Sequence, residues 1–330
     1  MNTEEREMFW NKLSSFDGDD VDAEISMLKK IIKYPKYLYR FRSISSNTLD
    51  GLRANKLYFS SADKYDDPFD SFIHIDWEKV EKEISKELQC MEAKNKAIDI
   101  LRPQIDISYE VMSKLTNCYN IDKWTEIGKI IIKNTRLEIQ KENLSICFSE
   151  DKLNEVLWLK YAGNHSGFVL EYDIVDENSF LCGKSNKCKG CLASTVSYSL
   201  YPIYYSLEKY DATSYAKFTA INGFLKKAPV DIASAIRSKM PTMNWQRERI
   251  SLIKHKCHEY DKEWRIIHPT FNSENSSRPF VIWRPSSIIL GLRIQQADKN
   301  IICTLAREAG ISKIYQCYIN RYDELDTYVL

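Results

Sequence analysis

Tyr260-Asp261-Lys262-Glu263-Trp264-Arg265-Ile266 is the stretch on which the fold of this chain turns. Charged and apolar residues alternate in it. A period of two is the signature of a strand with one polar and one apolar face. The expectation is a strand over residues 261–268 with Asp261, Glu263 and Arg265 on one side. Trp264 and Ile266 fall on the other side, where they can pack. Two carboxylates and a guanidinium together would be tolerated in a core only if paired. That face is therefore either a functional cluster or an exposed, salt-bridged surface.

Downstream, residues 279–282, 287–292 and 313–318 read as strands, the last being the final one. Residues 297–309 read as a helix stopped by Gly310. Upstream, 211–257 is mainly helical with an interruption at Pro241. Residues 194–205 read as strand broken at Pro202. Strands at 144–149 and 167–172 flank a helix at 151–161. Nearer the start, 4–33 is helical with a break at Asp17-Gly18-Asp19. Strands at 37–42 and 57–61 enclose a short helix at 48–54. Residues from about 77 to 142 form a charged helical insertion. Strands and helices do not alternate regularly, so the expected fold class is α+β, a mixed and mainly antiparallel sheet with flanking helices. The expected organisation is an N-terminal helical segment (1–36) and an α+β domain (37–330).

The 330 residues include 47 basic and 46 acidic side chains, a net charge of +1. So even a balance argues against general nucleic-acid coating or membrane-surface binding. No apolar run approaches the roughly 20 residues that cross a bilayer, and the charged start Met1-Asn2-Thr3-Glu4-Glu5-Arg6 has no secretory core. A cytoplasmic protein is expected. There are 10 glycines, and neither GxxxxGK[ST] nor GxGxxG occurs, which disfavours P-loop and Rossmann nucleotide sites. Tyrosine is abundant at 20.

Several groups of residues carry chemistry. Arg40 and Arg42 share one strand face, and the guanidinium fork suits phosphate; the competing reading is a pair of edge-strand charges. Ser60 ends the next strand. Asp66-Asp67-Pro68-Phe69-Asp70 is a turn whose carboxylates could hold a metal, although the spacing is not that of an EF-hand and Asx capping explains the residues as well. Trp158 and Tyr161 offer aromatic faces, Trp158 reading as core and Tyr161 as a stacking platform. His165 is a candidate acid or base near neutral pH. Cys147 reads as a buried reduced thiol. Cys182, Cys188 and Cys191 contain one CxxC, an incomplete structural zinc signature.

Three blocks of sequence, taken in order, resemble the bacterial domain-of-unknown-function family 2971. They are Tyr39-Arg40-Phe41-Arg42 with Leu57-Tyr58-Phe59-Ser60 and Asp66-Asp67-Pro68-Phe69-Asp70, then Cys147-Phe148-Ser149 with Trp158-Leu159-Lys160-Tyr161, His165 and Gly167, then Glu263-Trp264-Arg265-Ile266 with Ile289-Leu290-Gly291. That family usually has Asn at the position of Asp66 and Glu at that of Asp261. The order Arg, Ser, carboxylate-x-Glu is also similar to the R-S-E class of ADP-ribosyltransferases. That resemblance implies NAD as substrate. Arg40 or Arg42 would hold its phosphate, Ser60 the nicotinamide-side strand, and Glu263 the nicotinamide ribose, with Asp261 and His165 as further catalytic candidates. Tyr161, Asp67, Asp70 and Arg265 complete the expected binding set. The implied activity modifies a macromolecular target or cleaves NAD, and by analogy of fold alone it belongs to toxin or phage-defence biology. Two other classes stay open: a non-catalytic nucleotide- or protein-sensing module, and a metal-dependent enzyme acting on nucleic acid through the acidic turn.

Overall fold

The computed structural model describes residues 1–88, 121–174, 181–182, 200–226, 230–238, 240–268 and 278–330. Its strands in chain order are β1 (Tyr37–Arg42), β2 (Lys56–Tyr58), β3 (Ser60–Ser61), β4 (Leu144–Ser149), β5 (Phe168–Asp173), β6 (Leu181–Cys182), β7 (Leu200–Pro202), β8 (Tyr204–Ser206), β9 (Ile253–His255), β10 (Glu263–Ile267), β11 (Phe280–Ile282), β12 (Ser287–Leu290), β13 (Lys313–Ile319) and β14 (Leu325–Val329). A nine-stranded sheet runs β14-β13-β12-β5-β1-β4-β10-β7, with β3 attached beside β4. Its pairings are antiparallel except β12 with β13, which the helix Gln296–Glu308 connects as a crossover. Small sheets β2-β11-β6 and β8-β9 sit apart from it. The fold is α+β, with a mixed, mostly antiparallel sheet and flanking helices.

Alternation in the central strands sorts the core into two layers. Leu38, Ile146, Phe148, Trp264 and Ile266 enter the main cluster, which also takes Phe9, Leu13, Ile25 and Leu28 from the N-terminal helices Thr3–Ser14 and Val21–Ile31. Tyr39 and Phe41 point the opposite way, into a smaller cluster with Leu157, Trp158, Val169 and Ile289. The helices Trp77–Leu88 and Ile121–Glu142 belong to a third cluster through Val80, Ile132 and Ile139, joined by Ala212, Ala216 and Ile250. Among the described residues no helix is long and apolar enough to cross a membrane.

Four sequence expectations are corrected. The strand at 261–268 starts at Glu263, because Lys256–Asp261 winds as a 3₁₀ helix and Lys262 sits in the left-handed region (φ 45°, ψ 46°). Asp261 is thus off the strand. The segment 57–61 is two strands: β2 joins the small sheet through Phe280 to Ile282, and β3 crosses to the main sheet. A strand, β9, lies inside the stretch expected to be helical. A further strand, β14, follows the one expected to be last; the turn before it carries Asp323 at φ 59°, a conformation Asp tolerates.

One irregularity of the sheet positions everything that follows. β1 pairs with β4 at a single position, Tyr39 opposite Ser149, whereas it pairs with β5 along its whole length. Farther along β4, β3 takes the place of β1, with Ser60 opposite Ser145. The two central strands therefore part after one rung.

Candidate functional site

A cavity of about 310 Å³ lies at this parting, within the size range of small-molecule sites. One wall is acidic and the other basic. Glu263, the first residue of β10, lies opposite Ser149, and Arg265 lies opposite Cys147. Glu263 is fixed at every polar atom. Oε1 accepts from Arg265 Nε at 2.6 Å and Oε2 from Lys254 Nζ at 3.0 Å. Its N–H donates to the Tyr205 hydroxyl at 2.8 Å, and its carbonyl accepts from Arg6 Nη1 at 2.9 Å. Arg265 clasps Asp70 with both terminal nitrogens, at 2.8 and 2.5 Å, and donates to the Ser251 carbonyl at 2.8 Å. Lys254 also reaches Asp261 Oδ2 at 2.7 Å and Asp70 Oδ2 at 3.5 Å.

Asp70, Asp261, Glu263, Lys254 and Arg265 are all buried. Three carboxylates thus face two cations, leaving the cluster one negative charge in excess. Asp261 and Glu263, both bonded to Lys254, are driven apart. Burial opposes the charge on Glu263, but Arg265 and Lys254 outweigh it and hold the carboxyl well below the usual range. Burial pushes Asp261 up, and Lys254 offsets this only in part.

The basic wall has the opposite character. Arg40 is buried on β1, yet its Nη1 has no hydrogen-bond partner, and Nη2 makes only a long contact of 3.4 Å to the Tyr58 carbonyl. Burial disfavours its charge. Burial, then the adjacent Arg40 and Arg278, disfavour that of Arg42. Among the described residues neither arginine has a carboxylate partner. Arg278 donates to Ser60 Oγ at 2.8 Å and to the Phe59 carbonyl at 2.7 Å, adding a third guanidinium to this side. A guanidinium does not shed its proton in a protein, so the cost of burying this charge stands until an anion arrives.

Tyr65, Ser145 and Cys147 lie between the walls. The Tyr65 hydroxyl and Ser145 Oγ share a short hydrogen bond, and the Cys147 thiol donates to the tyrosine oxygen at 3.9 Å. Burial pushes the thiol to about 11 and the phenol well above its ordinary value, so both are protonated at neutral pH.

Nine of the ten residues expected for catalysis or NAD binding line this one cavity: Arg40, Arg42, Ser60, Asp67, Asp70, Tyr161, Asp261, Glu263 and Arg265. Arg265 is engaged at all three nitrogens by protein acceptors, so it orients its neighbours. The Asp67 carboxylate lies 3.1 Å from His258 Nε2. His165 is not among the lining residues. Its ring stacks on Trp158 at 5.7 Å and 6°, its backbone is left-handed (φ 64°), and burial lowers its pKa, so it is a neutral packing group under the second core layer. Cys182 lies in β6 opposite Val281, and Cys188 and Cys191 fall outside the described residues. Among the described residues no group of His, Cys, Asp and Glu is arranged to hold a metal.

Lys254, Tyr65, Ser145 and Arg278 were missed in the sequence. The polar alternation Ser145, Cys147, Ser149 in β4 was the available signal for that strand. Lys254 offered none, because β9 is only three residues long and follows a helix directly.

No protein-family model, no curated protein and no solved structure matches this chain.

Proposed function

We propose that the cavity binds NAD⁺ and that the protein is an ADP-ribosyltransferase-like enzyme, cleaving the nicotinamide–ribose bond and passing the ribosyl group to a macromolecule or to water. The observation that carries this reading is the polarity of the cavity. A buried guanidinium with an unpartnered nitrogen, Arg40, shares the cavity with a carboxylate cluster that is one positive charge short. The complementary ligand is anionic at one end and cationic at the other. NAD⁺ is such a molecule, with a diphosphate for Arg40 and Arg42 and a pyridinium for the acid wall. The order Arg40, Ser60, Asp261-x-Glu263 supports the same class through its resemblance to the R-S-E enzymes.

In this reading Glu263 stays ionised throughout and stabilises the positive charge that develops on the ribose as the bond breaks. Asp261, the acid with the raised pKa, is the group suited to take a proton from the incoming hydroxyl. Tyr161 stacks on a ring of the ligand at the rim. The setting is cytoplasmic, and a toxin or phage-defence role follows only from the analogy of class. The metal-dependent reading is less well supported, because both oxygens of Asp70 in the acidic turn are already held by Arg265. The sensing reading keeps one observation in its favour: both oxygens of Glu263 are already occupied by protein donors.

The test is calorimetric titration with NAD⁺, NADH and ADP-ribose, together with chromatographic detection of nicotinamide. NAD⁺ is expected to bind more tightly than NADH, which lacks the ring charge. Glu263→Gln is expected to lower nicotinamide release about 100-fold or more while leaving binding measurable. Binding without release would favour a sensor. No binding of any of the three would end the proposal.

A further inference from the structure

Lys254 touches more of the acid wall than any residue the sequence pointed to. Its ammonium lies within 3.5 Å of oxygens from three separate segments: Asp70 in the acidic turn, Asp261 at the end of a 3₁₀ helix and Glu263 at the start of β10. It reaches them from β9, which pairs in parallel with β8 and follows the helix Gln246–Ser251. On Asp261 it holds Oδ2; no donor among the described residues reaches Oδ1. On Glu263 it holds Oε2, while Arg265 holds Oε1.

We propose that Lys254 is the positioning residue of this site: it locks Glu263 in one rotamer and turns Asp261 so that its unused oxygen faces the entering hydroxyl. This rests on the NAD⁺ reading for its consequence in turnover, but not for the geometry. The groups facing Asp261 are Lys254, Glu263, His258, Lys160 and Tyr161, with Asp70 behind the ammonium. Lys254 is the cation in hydrogen-bond contact with it. The His258 imidazole is a further neighbour, its Nδ1 lying 4.0 Å from Oδ2.

Two measurements test the proposal. In the ligand-free protein, the side-chain carboxyl ¹³C titration of Asp261 is expected to move up by about one pH unit or more in Lys254→Met and to return in Lys254→Arg, with His258→Gln as the control for the imidazole. In turnover, Lys254→Met is expected to lower kcat about tenfold or more with little change in KM for NAD⁺, and to carry the acid limb of the pH profile upward with Asp261. A folded Lys254→Met with unchanged titration and unchanged kcat overturns the proposal. If that variant does not fold, Lys254→Met/Asp261→Asn keeps the charge of the cluster and takes its place. Its kcat must fall below that of Asp261→Asn alone, since Glu263 loses one of its two anchors, and equality overturns the proposal. Absence of nicotinamide release from the wild type would remove the NAD⁺ reading while the titration still decides the role of Lys254.

Discussion

Arg265 and Asp261 belong to one buried cluster but are expected to act on stability in opposite directions. Arg265 is the main partner of Asp70 and one of two partners of Glu263, so Arg265→Met leaves buried carboxylates uncompensated and is expected to destabilise the fold by about 3–5 kcal/mol, read by urea unfolding. Asp261→Asn brings the cluster to two acids and two bases and is expected to be neutral or stabilising at pH 7. The pH dependence follows from the directions of the shifts. Asp261 is raised from 3.8, so its contribution is fully present below that value and is lost as pH rises through its folded pKa. Glu263 is lowered from 4.5, so its contribution is present above that value and lost as pH falls through its folded pKa. Asp261→Asn should therefore gain stability mainly above pH 4, and Glu263→Gln should flatten the loss in acid. Arg40, Arg42 and Glu263 were legible in the sequence because strand alternation places them on definite faces. Their burial was not legible. A charged face on a strand reads as exposed until the elements that cover it, here the Asp70 turn and β9, are placed over it.

At the scale of elements, the strands that could be read were those with regular alternation, such as β1, β4 and β10. The ones that were missed or misdrawn are short or are set by tertiary pairing: β9, β14 and the split of β2 from β3 at Phe59. Tight crossings are equally hard to read. Gly291 follows β12 and donates its N–H to the Gly167 carbonyl at 2.9 Å. A Cβ on Gly291 would lie 2.1 Å from the His165 carbonyl, and one on Gly167 would lie 2.2 Å from that of Arg42. Neither backbone neighbour can move aside as a side chain would. Gly291→Ala is expected to cost about 1–3 kcal/mol or more, measured as a fall in denaturation midpoint at unchanged m. Gly167→Ala carries a second effect, because the displaced carbonyl belongs to the end of β1 that presents Arg42, and anion affinity should fall with stability.

For the whole molecule, the N-terminal helices pack into the main core, and Arg6 reaches through to the carbonyls of Ile203 and Glu263 at 2.7 and 2.9 Å. Fold class could be read from the irregular succession of elements; the cavity could not, since it arises from pairing between residues far apart in sequence, Tyr39 with Ser149 and Ser60 with Ser145. The unrelieved charge on the basic wall gives a global prediction. A polyanion that enters it removes a cost present only in the folded state, so inorganic pyrophosphate should raise the melting temperature, and Arg40→Met should abolish most of that rise. Added salt that screens the arginines should reduce the effect.

The single rung between Tyr39 and Ser149 has a mechanical consequence. On one side of it stand β14, β13, β12, β5 and β1; on the other, β4, β10 and β7. A ligand gripped by Arg40 on the first half and by the acid wall on the second would act as a splint across a hinge. Amide exchange at Ile146 to Phe148 should then slow on ligand binding, while exchange in β12 and β13, far from the seam, stays as it was.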